Sequence, residues 1–305
     1  MAATHPTPAV ELPQLFLKHI LVPVDFSEFS KTALKQAAAI ARLHGSDLLV
    51  LHVVPPEPII YSALEPVTWE YELVLNRARL EMQALEDSGE FSDLKHEYSV
   101  QTGALEPVLL RSIREHDTSL VVLATHGRSG IRKLILGSIA EEIFRTAPCP
   151  VLTLGPEVST TLLTHGCFQS VLFATDFSEG SRHALPYALG FAQESKARLT
   201  LMHALDEGSV TALYLHDQMH ANARTQLSQM VPLQFKLPTP PDIEVVSGYA
   251  VEEILRVARK NEADLIVLGV HKSSGIGART SAHLPWTIAH SVVGHARCPV
   301  LTVRG

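Results

Sequence analysis

An apolar run from His19 to Val24 ends in Asp25, and a second, Leu120 to Ala124, leads into Thr125-His126-Gly127-Arg128-Ser129-Gly130. After Gly127 come nine residues, 128 to 136, and then Gly137 and Ser138 at the head of an amphipathic stretch. Glycine lets a backbone approach a ligand closely and take positive φ, while free N–H groups at a helix start favour an anion. Such a loop can cradle phosphate. Arg128, Arg132 and Lys133 bring positive charge to it, although the chain through Gly155 holds 13 basic against 19 acidic residues. Asp25 would repel phosphate but accepts hydrogen bonds from ribose hydroxyls or a base amino group, which suits the nucleoside end of the same ligand. The plain alternative is capping: Ser138 with Glu141 has capping-box spacing, and Asp25 with Glu28 would cap the helix that follows. The two roles are compatible.

Other chemically capable residues point to less. His216 and His220 have the i, i+4 spacing that puts two rings on one helix face, but no further ligand motif accompanies them, and a structural zinc needs four ligands. No metal site is expected. His52 and His203 end apolar runs and read as satisfied core histidines. Cys149, Cys167 and Cys298 form an odd set without a C-x-x-C pair, so reduced thiols are expected rather than a disulfide framework or thiolate zinc site. Neither paired carboxylates nor a Walker P-loop is present, so an efficient ATPase is not expected.

The elements that must position these groups follow from a repeat. Asp25-Phe26-Ser27-Glu28 recurs as Asp176-Phe177-Ser178-Glu179, an offset of 151 that also pairs His52 with His203. Further on the offset is 145, pairing Gly103 with Gly248 and Ser129-Gly130-Ile131 with Ser274-Gly275-Ile276. Cys149-Pro150-Val151-Leu152-Thr153 returns as Cys298-Pro299-Val300-Leu301-Thr302 at offset 149. Order is kept throughout, which indicates duplication with small insertions. The reading is a flexible leader (1–16), a first domain (17–155) and a second (167–305), joined through a polar stretch near Gly155 to Gly166.

Within the first copy, strands are expected at His19–Val24, Asp47–Val54, Glu97–Thr102, Leu120–Ala124 and Val151–Leu154. Helices are expected at Ser30–His44, Glu70–Leu85, Glu106–His116 and Ile139–Thr146. Strands alternating with helices, with little polar alternation, predict an α/β fold: two repeated, open, mainly parallel sheets with helices on both faces. Ligands of such sheets bind beyond the C-terminal strand ends, where strand order reverses.

The 305 residues, 46% hydrophobic and 19% charged, describe a folded two-domain chain. A net charge of −7 argues against nucleic acid as a partner. No apolar run approaches the ~20 residues needed to span a bilayer, and Met1 to Glu11 lacks a signal pattern, so a cytoplasmic location without a membrane partner is expected.

The chain resembles the universal stress proteins across nearly all of both halves. The resemblance rests on Val22-Pro23-Val24-Asp25-Phe26-Ser27, on Leu51-His52-Val53-Val54, on the signature G-x-x-G, nine residues, G-(S/T) near 124 to 138, and on Pro148-Cys149-Pro150-Val151. It implies the adenine nucleotide α-hydrolase-like fold and a stress-response protein that holds ATP, ADP or AMP, with or without Mg2+, in its first domain. The implied contacts are Pro23, Val24, Asp25, Val53, Ala124, Gly127, Arg128, Gly137, Ser138 and Ile139, with alanine at 124 where the signature has its first glycine. In the second half Asp176, Gly269, Lys272 and Thr287 are weaker candidates, because Lys272 and Trp286 replace the second and third signature glycines; that site is expected to be degenerate. The resemblance also implies edge-to-edge pairing of Val151–Leu154 with Val300–Val303, an internal pseudo-dimer. A homo-oligomer, a protein partner, a non-nucleotide interaction module and a slow nucleotide-hydrolysing enzyme stay open as alternatives.

Overall fold

The structure, a computed structural model, describes residues 15–56, 68–125, 143, 146–158, 167–206, 213–232, 235–270 and 285–305. The first half contributes strands β1 (His19–Pro23), β2 (Asp47–Val54), β3 (His96–Thr102), β4 (Leu120–Ala124) and β5 (Val151–Leu154). Its helices are α1 (Glu28–His44), α2 (Thr68–Asp87) and α3 (Leu105–Glu115). The second half repeats the plan with β6 (Ser170–Ala174), β7 (Arg198–Leu205), β8 (Asp242–Ser247), β9 (Leu265–Val270) and β10 (Val300–Arg304). There the helices are α4 (Glu179–Glu194), α5 (Leu213–Met230), α6 (Ala250–Lys260) and α7 (Pro285–His295). Of the helix expected at Ile139–Thr146, only Ile143 and Thr146 are described; both are helical, and Ile143 is buried.

All ten strands form one sheet in the order β3-β2-β1-β4-β5-β10-β9-β6-β7-β8. Every pairing is parallel except that of β5 with β10, where Leu152 stands opposite Leu301 and Thr302 donates its Oγ1 hydrogen to the Val151 carbonyl at 3.3 Å. The implied pseudo-dimer is therefore present inside the chain. Alternate residues of each strand enter opposite layers: Ile20, Val22, Leu48 and Val50 lie under α1 and α2, whereas Leu21, Leu49, Leu51 and Val121 lie under α3. With both faces covered, the central strands are mostly apolar, with Thr153 and Thr302 buried among the aliphatic residues. In each half the strand order reverses at the first strand, between β1 and β4 and again between β6 and β9.

α1 begins where Ser27 accepts the Ser30 N–H, and it ends at Gly45, whose φ of 66° is a left-handed conformation that glycine adopts without strain. Its buried Ala33, Ala37, Ala38 and Ala41 let the helix lie close on the sheet. At the helix's last residue the two halves touch. His44 meets the edge of Phe191 in α4 with ring centroids 6.1 Å apart, and its Nδ1 lies 3.1 Å from Glu194 Oε2. At the same seam Leu15 packs against Gly190, where a Cβ would come within 2.4 Å of the leucine Cγ.

Burial holds His44 below the ordinary histidine value of 6.5 and pushes the Glu194 carboxyl above its own ordinary value. Neither partner is stabilised in its charged form, so the contact acts through packing more than as an ion pair. Because the folded state resists protonating His44, the unfolded chain binds more protons just below pH 6.5, and stability falls as the pH drops through that range. His44→Leu removes this titration. Its denaturant midpoint should fall less steeply than that of the parent between about pH 7 and pH 5.5, and parallel curves for the two proteins would contradict the assignment.

Candidate functional site

The site grows from the end of β1. Beyond Pro23 the Val24 N–H still bonds the Leu51 carbonyl of β2 at 2.9 Å, and the Val24 carbonyl accepts from His52 Nδ1 at 2.7 Å. That bond fixes the proton of the neutral ring on Nδ1. The next residue, Asp25, turns the chain: its Oδ1 accepts the Ser27 N–H at 3.0 Å and the Ser27 hydroxyl at 2.5 Å. Ser27, not Asp25, is therefore the N-cap of α1, and the carboxylate orients that cap. Phe26 between them has φ of 64°, a strained conformation for an aromatic residue, held by its ring lying 4.5 Å from that of His52.

The second half repeats this turn closely. Phe177 has φ of 62° and lies 4.4 Å from His203, whose Nδ1 donates to the Thr175 carbonyl at 2.7 Å. Asp176 Oδ1 accepts from the Ser178 N–H at 3.0 Å and from the Ser181 hydroxyl at 2.6 Å. Sequence patterning carries no signal for a phenylalanine with positive φ; only its recurrence in both copies of Asp-Phe-Ser could have drawn attention to it.

Both turns stand at C-terminal strand ends, beside the switch points of the sheet. In the first half this brings together Pro23 at the end of β1, Val24 and Asp25 just beyond it, Val53 near the end of β2 and Ala124 at the end of β4. Gly127, Arg128, Gly137, Ser138 and Ile139, like Arg132 and Lys133, lie outside the described residues. In the second half a crevice of about 80 Å³ opens between the strand ends and the start of α6, with Asp176, Met202, His203, Ile254, Leu268 and Gly269 in its walls. Thr287 of α7 borders a neighbouring hollow that also reaches Asp176. Lys272 lies outside the described residues.

Residues 17–154 and again 168–304 match the sequence profile of the universal stress protein family. The chain belongs to that family. A universal stress protein of Mycobacterium tuberculosis is 25% identical over 295 residues, covering 93% of this chain and 96% of the relative. One from Methanocaldococcus jannaschii is 27% identical over 139 residues, 45% of this chain and 81% of the relative. In fold, the chain is similar to the crystal structure of a universal stress protein from Archaeoglobus fulgidus, with a TM-score of 0.61, 18% identity and coverage of 96% and 98% of the two chains. A tandem universal stress protein fold thus carries both candidate sites.

Within that fold several expectations resolve. His52 and His203 tie adjacent strand ends together, as satisfied core histidines do. All three cysteines are free, and burial raises the thiols of Cys149 and Cys298 to about 12, which keeps them protonated and poorly nucleophilic at neutral pH. Among the described residues no helix is long and apolar enough to cross a membrane.

Gly269 has a packing role of its own: a Cβ there would sit 2.3 Å from the backbone carbon of Gly180 and the nitrogen of Ser181. The first turn of α4 rests directly on β9. At the same offset the first half has Ala124, so the two halves differ in how closely a helix start approaches a strand end. Gly269→Ala should push α4 outward at a cost of about 1–3 kcal/mol, read as a lower denaturant midpoint, whereas Ala124→Gly should leave the midpoint nearly unchanged. Equal effects at the two positions would show that the Gly180 contact does not matter.

Proposed function

We propose that the first domain binds ATP or a related adenine nucleotide, ADP or AMP, and that its occupancy serves as a signal in a stress response. The observation that carries this reading is the placement of Asp25. It stands at the C-terminal end of β1, beside the reversal of strand order, with its carboxylate held by the Ser27 N–H and hydroxyl. A carboxylate there accepts from ribose hydroxyls, and the neighbouring Val53 supplies apolar wall. The donor set thus suits the nucleoside end of the ligand. The phosphate end rests on sequence: the loop leaving β4 carries Gly127, Arg128, Gly137 and Ser138 in the family's signature spacing. Mg2+ belongs to the proposal only as a companion of the phosphates.

For the second domain we propose a degenerate site. Gly269 is taken up by contact with α4, and Lys272 and Trp286 stand where the signature has glycines. A large indole at a close-approach position leaves less room for a triphosphate.

The test is calorimetric titration of the full chain with ATP and AMP, together with mass identification of small molecules released from gently purified protein. One nucleotide per chain is expected. Asp25→Ala should weaken binding at least about tenfold, or ~1.4 kcal/mol. Gly137→Trp, which copies the second half's residue into the first, should abolish binding while the far-ultraviolet spectrum stays unchanged. Undiminished affinity in either variant would place the site elsewhere, and a parent chain that neither carries nor takes up nucleotide would favour a non-nucleotide interaction module.

A further inference from the structure

The duplication provides an internal comparison for every position, and one cluster differs sharply between the halves. In the first half Tyr71, Leu75 and Ala78 on the inner face of α2 pack against Val54 and Val100, a small apolar cluster over the outer strands. At the offset of 145 the second half keeps alanine, Ala223, but places His216 at the position of Tyr71 and His220 at that of Leu75. Both rings turn toward one atom. His216 Nε2 and His220 Nε2 each lie 2.8 Å from the hydroxyl oxygen of Ser247, the last residue of β8, with ring centroids 4.4 Å apart. Ser247 is fixed by its neighbour: Gly248, with φ of 144°, bonds its N–H to the Leu205 carbonyl and ends the strand.

This is an unfavourable exchange if packing alone is at stake. Replacing a tyrosine and a leucine by two imidazoles removes apolar burial from the helix–sheet contact. A serine hydroxyl has one proton, so only one contact can run O–H···N; the other must run N–H···O, with the two rings held in opposite tautomers. A divalent cation is the alternative occupant of this point, because it accepts both Nε2 lone pairs at once and lets each ring carry its proton on Nδ1. The rings are half-buried and so within reach of solvent. Asp217 lies close enough to act electrostatically on His220, and its negative charge favours a cation.

We propose that His216 and His220, with Ser247 as the neighbouring oxygen, form an exchangeable site for an imidazole-preferring divalent ion of the Zn2+, Cu2+ and Ni2+ class. Among the described residues no cluster of three or more histidines, cysteines or acidic residues is placed to hold a metal. Two imidazoles leave the remaining positions of the ion to oxygen and water, which makes the site labile rather than structural. Its consequence is mechanical. An ion at this point clamps α5 to the end of β8 at the outer edge of the sheet, far in strand order from the first domain's crevice.

The proposal is independent of nucleotide binding and is tested with Zn2+ alone. The metal-free full chain is titrated by calorimetry beside the double variant His216→Tyr with His220→Leu, which installs the pair that the first half already uses for packing. Single variants His216→Gln and His220→Gln cover the case in which the double variant does not fold. The parent is expected to bind one equivalent more than the double variant, and each single variant to bind that equivalent at least about tenfold more weakly, since bidentate imidazole ligation is lost. Thermal unfolding should shift upward with Zn2+ in the parent and not in the folded variants. The same stoichiometry and affinity in parent and variants, or no saturable binding by the parent, would overturn the proposal.

Discussion

A parallel sheet ordered as β3-β2-β1-β4-β5 leaves the outer side of β5 with a row of unpaired N–H and C=O groups, a liability in water and an invitation to aggregation. In this chain that edge meets β10, the matching edge of the duplicate, and the two pair antiparallel. Like edges related by a pseudo-two-fold axis can meet only in this sense. The arrangement is that of an isologous dimer interface carried within one chain. The four residues of β5 are all buried, and β10 takes up the edge beside them. From the same junction follow the contact of α1 with α4 through His44 and Phe191, the seating of Leu15 on Gly190, and the approach of Gly155 to the Val293 carbonyl, where a Cβ would stand 2.1 Å away.

Holding two copies of one unit side by side also separates what the fold requires from what each half has made its own. Both halves retain the turn after the first strand, down to a phenylalanine with positive φ and an aspartate Oδ1 that organises the serine cap. Strain of this sort costs on the order of 1–3 kcal/mol and persists only where the surrounding structure holds it, here through the ring contacts with His52 and His203. The halves part company in the surroundings: alanine against glycine at 124 and 269, and an apolar pair against two histidines under the outer helix. Such substitutions alter what a crevice or an edge can hold without disturbing the strand order.

Much of the fold was legible because apolar runs of strand length, separated by amphipathic stretches, have few alternatives. β2, β4 and β5 fall where the pattern puts them, since their ends coincide with abrupt changes in polarity. Helix ends were less legible: α1 starts at Glu28 rather than Ser30, and α2 spans Thr68–Asp87 rather than Glu70–Leu85, because caps and first turns are polar and carry no periodic signal. The spacing of Asp25 and Glu28 suggests that Asp25 caps α1, yet that cap belongs to Ser27, because its hydroxyl stands in reach of the Ser30 N–H. His216 and His220 were visible as a pair, but the oxygen between them comes from Ser247, 27 residues beyond His220 on a strand, and no local pattern links the two.

The sequence by itself determined the duplication, the family and the parallel α/β layering, because these depend on which residues recur and on the period of apolar side chains, both local in the chain. Only the tertiary structure decided which hydroxyl stands between two imidazoles and why Gly269 has no side chain. Those are meetings of atoms from segments tens of residues apart. Distances of that kind are fixed when helices settle onto a sheet, and they leave no trace in the order of the residues.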